Sequence, residues 1–568
     1  MVWAERIFPD PSSGEAGGRL SGHDLVAGLS VAFILIPQAI AYADLAGMPP
    51  QTGLYAAAVA PVAGAIFASS AYIQTGPVAL TSLLTFGALL PMAPLGSREF
   101  VALAALLALV VGVTRIALGM LRFGFLAYLM SQPLLLGFTS AAGVLIVASQ
   151  VPAALGVQGV AGGVVGEAAY VLGTPSTWDP TAAAVTASTI LVIVGGARLH
   201  ALFPGVLVAT VGGILFSVLT DYRAPTLGAL PGGIGLPSFD LPWTRMGALL
   251  VPGVVIGLVG FAEPASIART YAAEDRDPWN PNREFVSQGV ANLLTGLFGG
   301  FPVGGSFSRS SVNRLAGATS RWSGAVAGGL VLLFLPFARV LAPMPTAVIA
   351  GIIIAAVVGL VRPRALFTML RLSRLQALVG WSTFFLTLAL APQIEQAVLL
   401  GILFSVGVHL WRELPVSFDT WMRGREIHVS VEGVLWFGSA PVLEEALLNL
   451  IAEEKDAKAL VIHLQGIGRI DLTGARMLET IIDDARSAGL QTWLEGVPPH
   501  AYRIFRKVLG WHPVRESPER EAEKKEREKE RKEREEEEER QEEAEQEEAA
   551  AEEKAAEEAA KAERTRTG

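Results

Sequence analysis

Apolar stretches near bilayer-spanning length, about 17–25 residues, follow one another from Leu25 to Trp411, separated by connectors rich in Pro, Gly, Asp and Arg. The clearest are Phe100–Met120, Leu126–Gln150, Ala182–Val194, Leu202–Leu219, Leu249–Ala262, Ala325–Val340, Ala347–Val361 and Val398–Leu410. Several are short or merge with a neighbour, so hydropathy predicts roughly 10 to 14 helical spans. After Trp411 the period changes. Glu426–Val434 alternates apolar and polar positions and predicts a strand, Val442–Ile451 has helical spacing, and Ala459–Leu464 predicts a buried strand. Ile470–Gly474 is a turn into a helix through Ser487, followed by a strand at Gln491–Glu495 and a helix at Ala501–Val508. Strands and helices alternating in this way predict a small cytoplasmic α/β domain. The Glu, Lys, Arg and Ala repeat that follows has no apolar face. It is expected to be disordered, or a solvated helix held by i,i+4 pairs.

Composition sharpens this division. Only 17% of the 568 residues are charged, against roughly 25% in soluble domains. From Arg515 to Gly568 alone there are 23 Glu and 14 Lys or Arg. That acidic excess equals the whole formal net charge of −9, so the remainder is neutral and still poorer in charge. The acidic balance therefore marks no acidic functional surface, and no basic field points to nucleic acid. The lack of cysteine excludes disulfide scaffolds, cysteine zinc sites and thiol catalysis. Met1–Ser21 lacks the pattern of a cleaved signal peptide. Placing both termini in the cytoplasm puts Arg122, Arg198, Arg276, Arg283, Arg321, Arg362, Arg364, Arg371 and Arg374 inside, and leaves chiefly Arg98, Arg223, Arg245 and Arg339 outside. This asymmetry fits the positive-inside rule with an even number of spans.

Two interrupted segments carry the chemistry. Ile36-Pro37-Gln38-Ala39-Ile40-Ala41-Tyr42 sets a proline and an amide inside an apolar span, and Gln74-Thr75-Gly76-Pro77-Val78-Ala79-Leu80 follows. In the second half, Phe261-Ala262-Glu263-Pro264-Ala265-Ser266 is followed at matching distance by Gly304-Gly305-Ser306-Phe307-Ser308-Arg309. A polar span with an internal proline, then a short span with a Gly-rich start, thus occurs twice, which predicts an inverted repeat with a site at its interface. A helix that begins inside the bilayer leaves its first N–H groups unpaired and partly positive. Two such ends facing each other favour an anion. Pro77 suits the first turn of one helix, Ser306 and Ser308 can cap the other or donate to an anion, and Arg309 adds a planar cation suited to oxyanions and carboxylates. Gln38 and Tyr42 are lining candidates.

Glu263 is the second candidate, because charges within a span are costly and usually face a pathway or a partner. One reading is a structural pair with Arg309. The other is a titratable carboxylate whose protonation frees Arg309 for an anion, linking one proton to each substrate.

These motifs, together with Ala46-Gly47-Met48-Pro49-Pro50-Gln51-Thr52-Gly53-Leu54-Tyr55 and Ser308-Arg309-Ser310-Ser311-Val312-Asn313, resemble those of the SulP family of anion transporters, the sulfate-permease-like, prestin-related family. The resemblance covers Leu20 to about Trp511. It implies an α-helical polytopic membrane protein with 14 transmembrane spans, arranged as two inverted repeats of seven that divide into core and gate domains. The third and tenth spans would be half-helices, and the cytoplasmic appendage a STAS domain. The implied layout is an N-terminal segment (1–22), a transporter domain (23–412, repeats about 23–222 and 245–412), a STAS domain (424–513) and a charged tail (514–568). Carried over by position, Gln38, Tyr42, Val78, Ala79, Leu80, Ser306, Phe307, Ser308 and Arg309 bind the anion, with Glu263 beside them for coupling. A homodimer and an elevator-like movement of core against gate are also implied. STAS phospho-switches carry an Asp-Ser-Ser-Gly-like turn, whereas this chain has Asp471-Leu472-Thr473-Gly474. Thr473 keeps the hydroxyl, and a structural or regulatory role that engages a cytoplasmic partner is the alternative.

The expected function is secondary active transport of a small anion across the plasma membrane, a bacterial inner membrane. Proton-coupled symport of a carboxylate or dicarboxylate such as fumarate is the first reading. Proton-coupled sulfate uptake and sodium-coupled bicarbonate uptake are alternatives; Arg309 would repel a sodium ion. An anion channel and a sensor signalling through the STAS domain are readings of other classes. No enzymatic constellation, metal cluster, cofactor or phosphate loop stands out, and Gly466-Ile467-Gly468 is too weak to mark a nucleotide site. The proton is the expected coupling ion.

Overall fold

In the apolar part, helices form wherever the backbone must satisfy its own hydrogen bonds, and Pro, Gly and Ser mark where they begin and end. The computed structural model describes residues 19–128, 131–157, 163–233, 235, 237–413, 416–508, 514–515, 529 and 531. The N-terminal segment to residue 18 and nearly all of the charged tail, on which expectations were placed above, lie outside the described residues.

The helices are α1 (Gly22–Leu45), α2 (Pro50–Phe67), α3 (Ala79–Leu89), α4 (Arg98–Met120), α5 (Gln132–Ala154), α6 (Val164–Gly173), α7 (Pro180–Leu199) and α8 (Gly205–Leu219). The second half adds α9 (Met246–Asp275), α10 (Pro281–Leu297), α11 (Phe307–Leu315), α12 (Trp322–Phe334), α13 (Thr346–Val357), α14 (Pro363–Leu372), α15 (Arg374–Ala389) and α16 (Ile394–Glu413). Among the described residues, eight helices are long and apolar enough to cross a membrane, and three shorter ones are apolar. Two packing groups emerge. In the first, α4 lies along α10 and α9, while α12 lies along α1 and α2. In the second, α5 packs on α15, α13 and α6, and α7 packs on α13 and α8. Each group draws on both halves of the chain. Leu191, Leu219, Leu333, Phe337 and Leu403 are largely exposed, as apolar side chains facing lipid would be.

Small residues set the closest approach. Gly112 and Gly119 of α4 face the backbone of α10 at Gly289 and Asn282, and Gly296 of α10 faces Ala105. A methyl group at Gly296 would fall 2.6 Å from the Ala105 carbonyl oxygen. Glycines seven residues apart on both helices thus make a seam that lets the backbones touch, the packing that membrane helices favour.

Between the helices lie two two-residue strands, β1 (Thr75–Gly76) and β2 (Gly304–Gly305), paired antiparallel with Thr75 opposite Gly305 and Gly76 opposite Gly304. β1 leads into α3, and β2 leads into α11. The two short helices of the repeated motif therefore issue from a single ladder.

A second compact unit begins at His409. Its strands are β3 (Ser417–Arg423), β4 (Glu426–Leu435), β5 (Ala459–Ile470), β6 (Gln491–Glu495) and β7 (Val514–Arg515), ordered β3-β4-β5-β6-β7 with only β3 antiparallel to its neighbour. Helices α17 (Ala440–Glu453), α18 (Leu472–Ser487) and α19 (Tyr502–Val508) complete it. The expected strands and helices are present, β5 running past Leu464 to Ile470. The edge strand β3 was not anticipated, and all seven of its residues are exposed, so no burial pattern betrays it.

His428 and His463, from adjacent strands, share a hydrogen bond of 2.9 Å between Nδ1 and Nε2. Glu426 and Glu495 flank them at 3.4 and 3.2 Å, and Trp421 stacks on both rings. Burial pushes His463 below the usual imidazole range, against the pull of Glu495 and with the help of His428. A depressed folded-state value means that the unfolded chain takes up the proton first as pH falls below about 6.5. Stability held above that pH is then lost as pH falls toward the folded value. Hydrogen exchange on the full chain should show weaker protection of β5 amides near pH 5.5 than near pH 7.5, and a His463→Phe variant should flatten the difference.

Candidate functional site

The ladder is held by a polar stripe on α10. Glu284, Gln288 and Asn292 recur every fourth residue, on one helix face. The Glu284 carboxylate accepts from the Ser69 and Ser70 amides at 3.0 and 3.3 Å. Gln288 Nε2 donates to Thr75 Oγ1 at 2.7 Å, and Asn292 both accepts from the Val303 amide (2.9 Å) and donates to its carbonyl (3.1 Å). The leads into both short helices are thereby fixed from one side.

The two helix starts differ. α11 is capped: Ser306 Oγ accepts from the Arg309 amide at 3.5 Å, and Glu263 Oε1 accepts from the Phe307 amide at 3.0 Å. α3 begins after Val78 with no side-chain cap. Pro77 lies one residue before that cap position, outside the first turn where the sequence placed it; the ladder pairing at Gly76 delays the helix until Ala79. Val78, Ala79 and Leu80 are buried at this uncapped end.

Arg309 is fully buried. Its Nη1 donates to Gln38 Oε1 at 3.3 Å, while Nε and Nη2 have no partner among the described residues. These two nitrogens share one edge of the guanidinium, with parallel N–H bonds that match two oxygens of a carboxylate or oxyanion. A buried donor pair without an acceptor is unfavourable unless something negative arrives. Gly76 makes room for that edge: a methyl group there would sit 3.3 Å from Nη2. Tyr42 is buried within electrostatic reach of both Arg309 and Glu263. Ser308 Oγ lies 3.2 Å from Ser306 Oγ, and Ser308 and Phe307 are exposed beside it, Phe307 to 56%.

Gln38, Tyr42, Glu263, Ser306 and Arg309 are thus brought together. Of the two readings of Glu263, the structural ion pair with Arg309 is not formed among the described residues; the Glu263 carboxylate accepts from the first amide of α11. The same helix, α9, grips α11 at both ends, since Glu274 and Asp275 bind Arg314 at the far end, where Arg314 lies over the Tyr271 ring. Thr473 belongs to the second compact unit, where it is exposed in the first turn of α18 behind its Asp471 cap.

Sequence reasoning missed the α10 stripe, although its four-residue spacing was visible, and it missed Arg115. That side chain is fully buried on α4 and donates to the carbonyls of Gly257 (3.0 Å), Val303 (2.9 Å) and Ile256 (3.3 Å). The signal was a single Arg inside the Phe100–Met120 stretch.

A profile described as the sulfate permease family matches residues 22–383, and a STAS domain profile matches residues 422–509. This chain belongs to the sulfate permease family. Among its relatives, Sulfate transporter 4.1, chloroplastic, of Arabidopsis thaliana is 36% identical over 400 residues, which are 67% of this chain and 57% of that protein. The chain therefore matches little more than half of the Arabidopsis protein's length. A probable sulfate transporter of Mycobacterium tuberculosis is 32% identical over 386 residues, 64% of this chain and 68% of that protein. Among solved structures, murine Slc26a9, an anion transporter in the inward-facing state, superimposes with a TM-score of 0.79 at 19% identity, covering 86% of this chain and 88% of that one. The transmembrane domain of a cyanobacterial bicarbonate transporter, BicA, gives 0.58 at 25% identity, covering 68% and 97%. The fold of this family member is a helical polytopic membrane domain followed by a STAS domain, and its element order is consistent with fourteen spans.

Proposed function

We propose that this family member is a secondary active carrier that moves a small anion together with a proton by alternating access. The free edge of Arg309 carries the reading. A buried guanidinium with two unpartnered parallel donors, set near the uncapped start of α3, has the donor set of an anion receptor. Sulfate is the first substrate reading, because its edge presents two oxygens to that fork and because sulfate transporters recur among the relatives. A dicarboxylate such as fumarate is the second, favoured by the planarity of the fork, which takes a carboxylate equally well.

Glu263 supplies the coupling. As a carboxylate it already occupies the positive end of α11, so it competes with the substrate for that field. Protonation neutralises this built-in anion and lets the arriving one take its place. Sodium is disfavoured as the coupling ion, because Glu263 sits within electrostatic reach of the Arg309 cation. An elevator-like movement of the α1–α4 and α9–α12 group against the other group, in a homodimer of the plasma membrane with both termini cytoplasmic, completes the proposal.

The test is uptake of labelled sulfate, fumarate and bicarbonate into proteoliposomes, with proton and sodium gradients imposed separately. Saturable sulfate uptake accelerated by an inward proton gradient is expected. Steady current without coupled accumulation would instead mark a channel, binding without flux a sensor, and sodium-driven bicarbonate entry the alternative carrier.

A further inference from the structure

Arg115 is a full positive charge buried without an opposite charge: among the described residues no carboxylate pairs with it, and its three partners are backbone carbonyls. Such a placement is costly, and packing does not require it, since a neutral side chain fills an apolar helix face at lower cost. Its neighbours are those of the anion site. Val303 directly precedes the ladder strand β2. Ile256 and Gly257 lie two turns before Glu263 on α9. A methyl group at Gly260, one turn before Glu263, would fall 2.7 Å from Arg115 Nη2 and 2.9 Å from Thr81 Cγ2, in the first turn of α3. The guanidinium therefore stands directly behind the uncapped helix start, adding its charge to the partial charge of the amide ends.

We propose that Arg115 is the second fixed positive charge of the anion site and sets its preference for a doubly charged anion. This rests on the carrier reading above. With Glu263 protonated, Arg309 and Arg115 together present two positive charges, which a dianion neutralises and a monoanion does not. With Glu263 ionised, the balance falls to one. Substrate valence and the proton are thus matched by one count of charges: a dianion enters with a proton, and the loaded site is neutral. Arg309 makes the direct contact. Arg115 acts at a distance, through the wall, as a specificity-determining residue.

The test compares sulfate with perchlorate, two tetrahedral oxyanions that differ in charge. Titration calorimetry on the solubilised full chain gives the affinity for each. Arg115→Gln should weaken sulfate binding at least tenfold and perchlorate binding less than threefold, whereas Arg115→Lys, which keeps the charge but loses the three-way contact, should keep the ratio between the two anions near that of the unmodified chain. Equal weakening of both anions in Arg115→Gln, or loss of the ratio in Arg115→Lys, would leave Arg115 a structural strut and overturn the proposal. If neither variant folds, the unmodified chain decides. Sulfate–sulfate exchange in proteoliposomes, which cycles only the loaded form, should change less than twofold when a potassium diffusion potential is imposed. A fivefold or larger change would mean that the loaded site carries net charge, and would refute the count. An unmodified chain that neither binds nor transports either anion would remove the carrier reading itself; a working chain with an unchanged ratio in Arg115→Gln would remove this proposal alone.

Discussion

Arg309→Ala raises the apparent KM for the transported anion by about 100-fold or more, the largest effect expected of any single substitution in the site. The free edge offers two charge-assisted hydrogen bonds, each worth roughly 1.5 kcal/mol net, and together they correspond to that factor. The loss should fall on affinity, because the contact forms with the bound anion itself. The substitution also leaves Gln38 Oε1 without its donor, which adds to the cost. Arg309→Lys should recover only part of the affinity, since a point charge cannot span two oxygens. Initial rates of labelled sulfate uptake over a range of concentrations measure both variants. A normal apparent KM in Arg309→Ala would place the anion elsewhere.

The second large effect concerns coupling. Glu263→Gln should abolish the acceleration of uptake by an inward proton gradient and hold anion affinity, at any pH, near the value that the unmodified chain reaches at acidic pH. The amide oxygen of Gln can still accept the Phe307 N–H that Glu263 holds at 3.0 Å, so the helix end stays capped. What disappears is the charge that competes with the substrate and the proton that relieves it. Uptake measured against external pH should lose its rise on acidification. Retention of the full pH response would assign the proton to another group.

Much of this is legible in the amino-acid sequence itself. The paired interruptions at Pro37 and Pro264, and the Gly-rich starts at Gly76 and Gly304, were visible because glycine and proline act through the local backbone. The convergence of Gln38 on Arg309 followed from the repeat and the resemblance. Other features depended on contacts that no local pattern records. Glu263 and Arg309 are the obvious opposite charges, yet an unpaired amide at Phe307 claims the carboxylate, and only the placement of α9 beside the start of α11 decides between them. Arg115 sits in an otherwise unbroken apolar stretch, and its carbonyl partners lie some 140 to 190 residues away in the chain. The stripe of Glu284, Gln288 and Asn292 had a readable spacing but no readable target, since Thr75 and Val303 meet it only once the chain has folded. The edge strand at Ser417–Arg423 escaped because its residues alternate against nothing buried.

The short ladder between Thr75–Gly76 and Gly304–Gly305 ties the two helix starts to each other by their main chains, so neither can shift alone. On the carrier reading, the cargo would be cradled by one rigid piece and would keep the same neighbours throughout its journey, whichever side of the lipid it faces. Choice of ion and speed of passage then belong to different parts of the molecule: damage to the outer helices should slow the crossing while leaving the list of accepted ions unaltered.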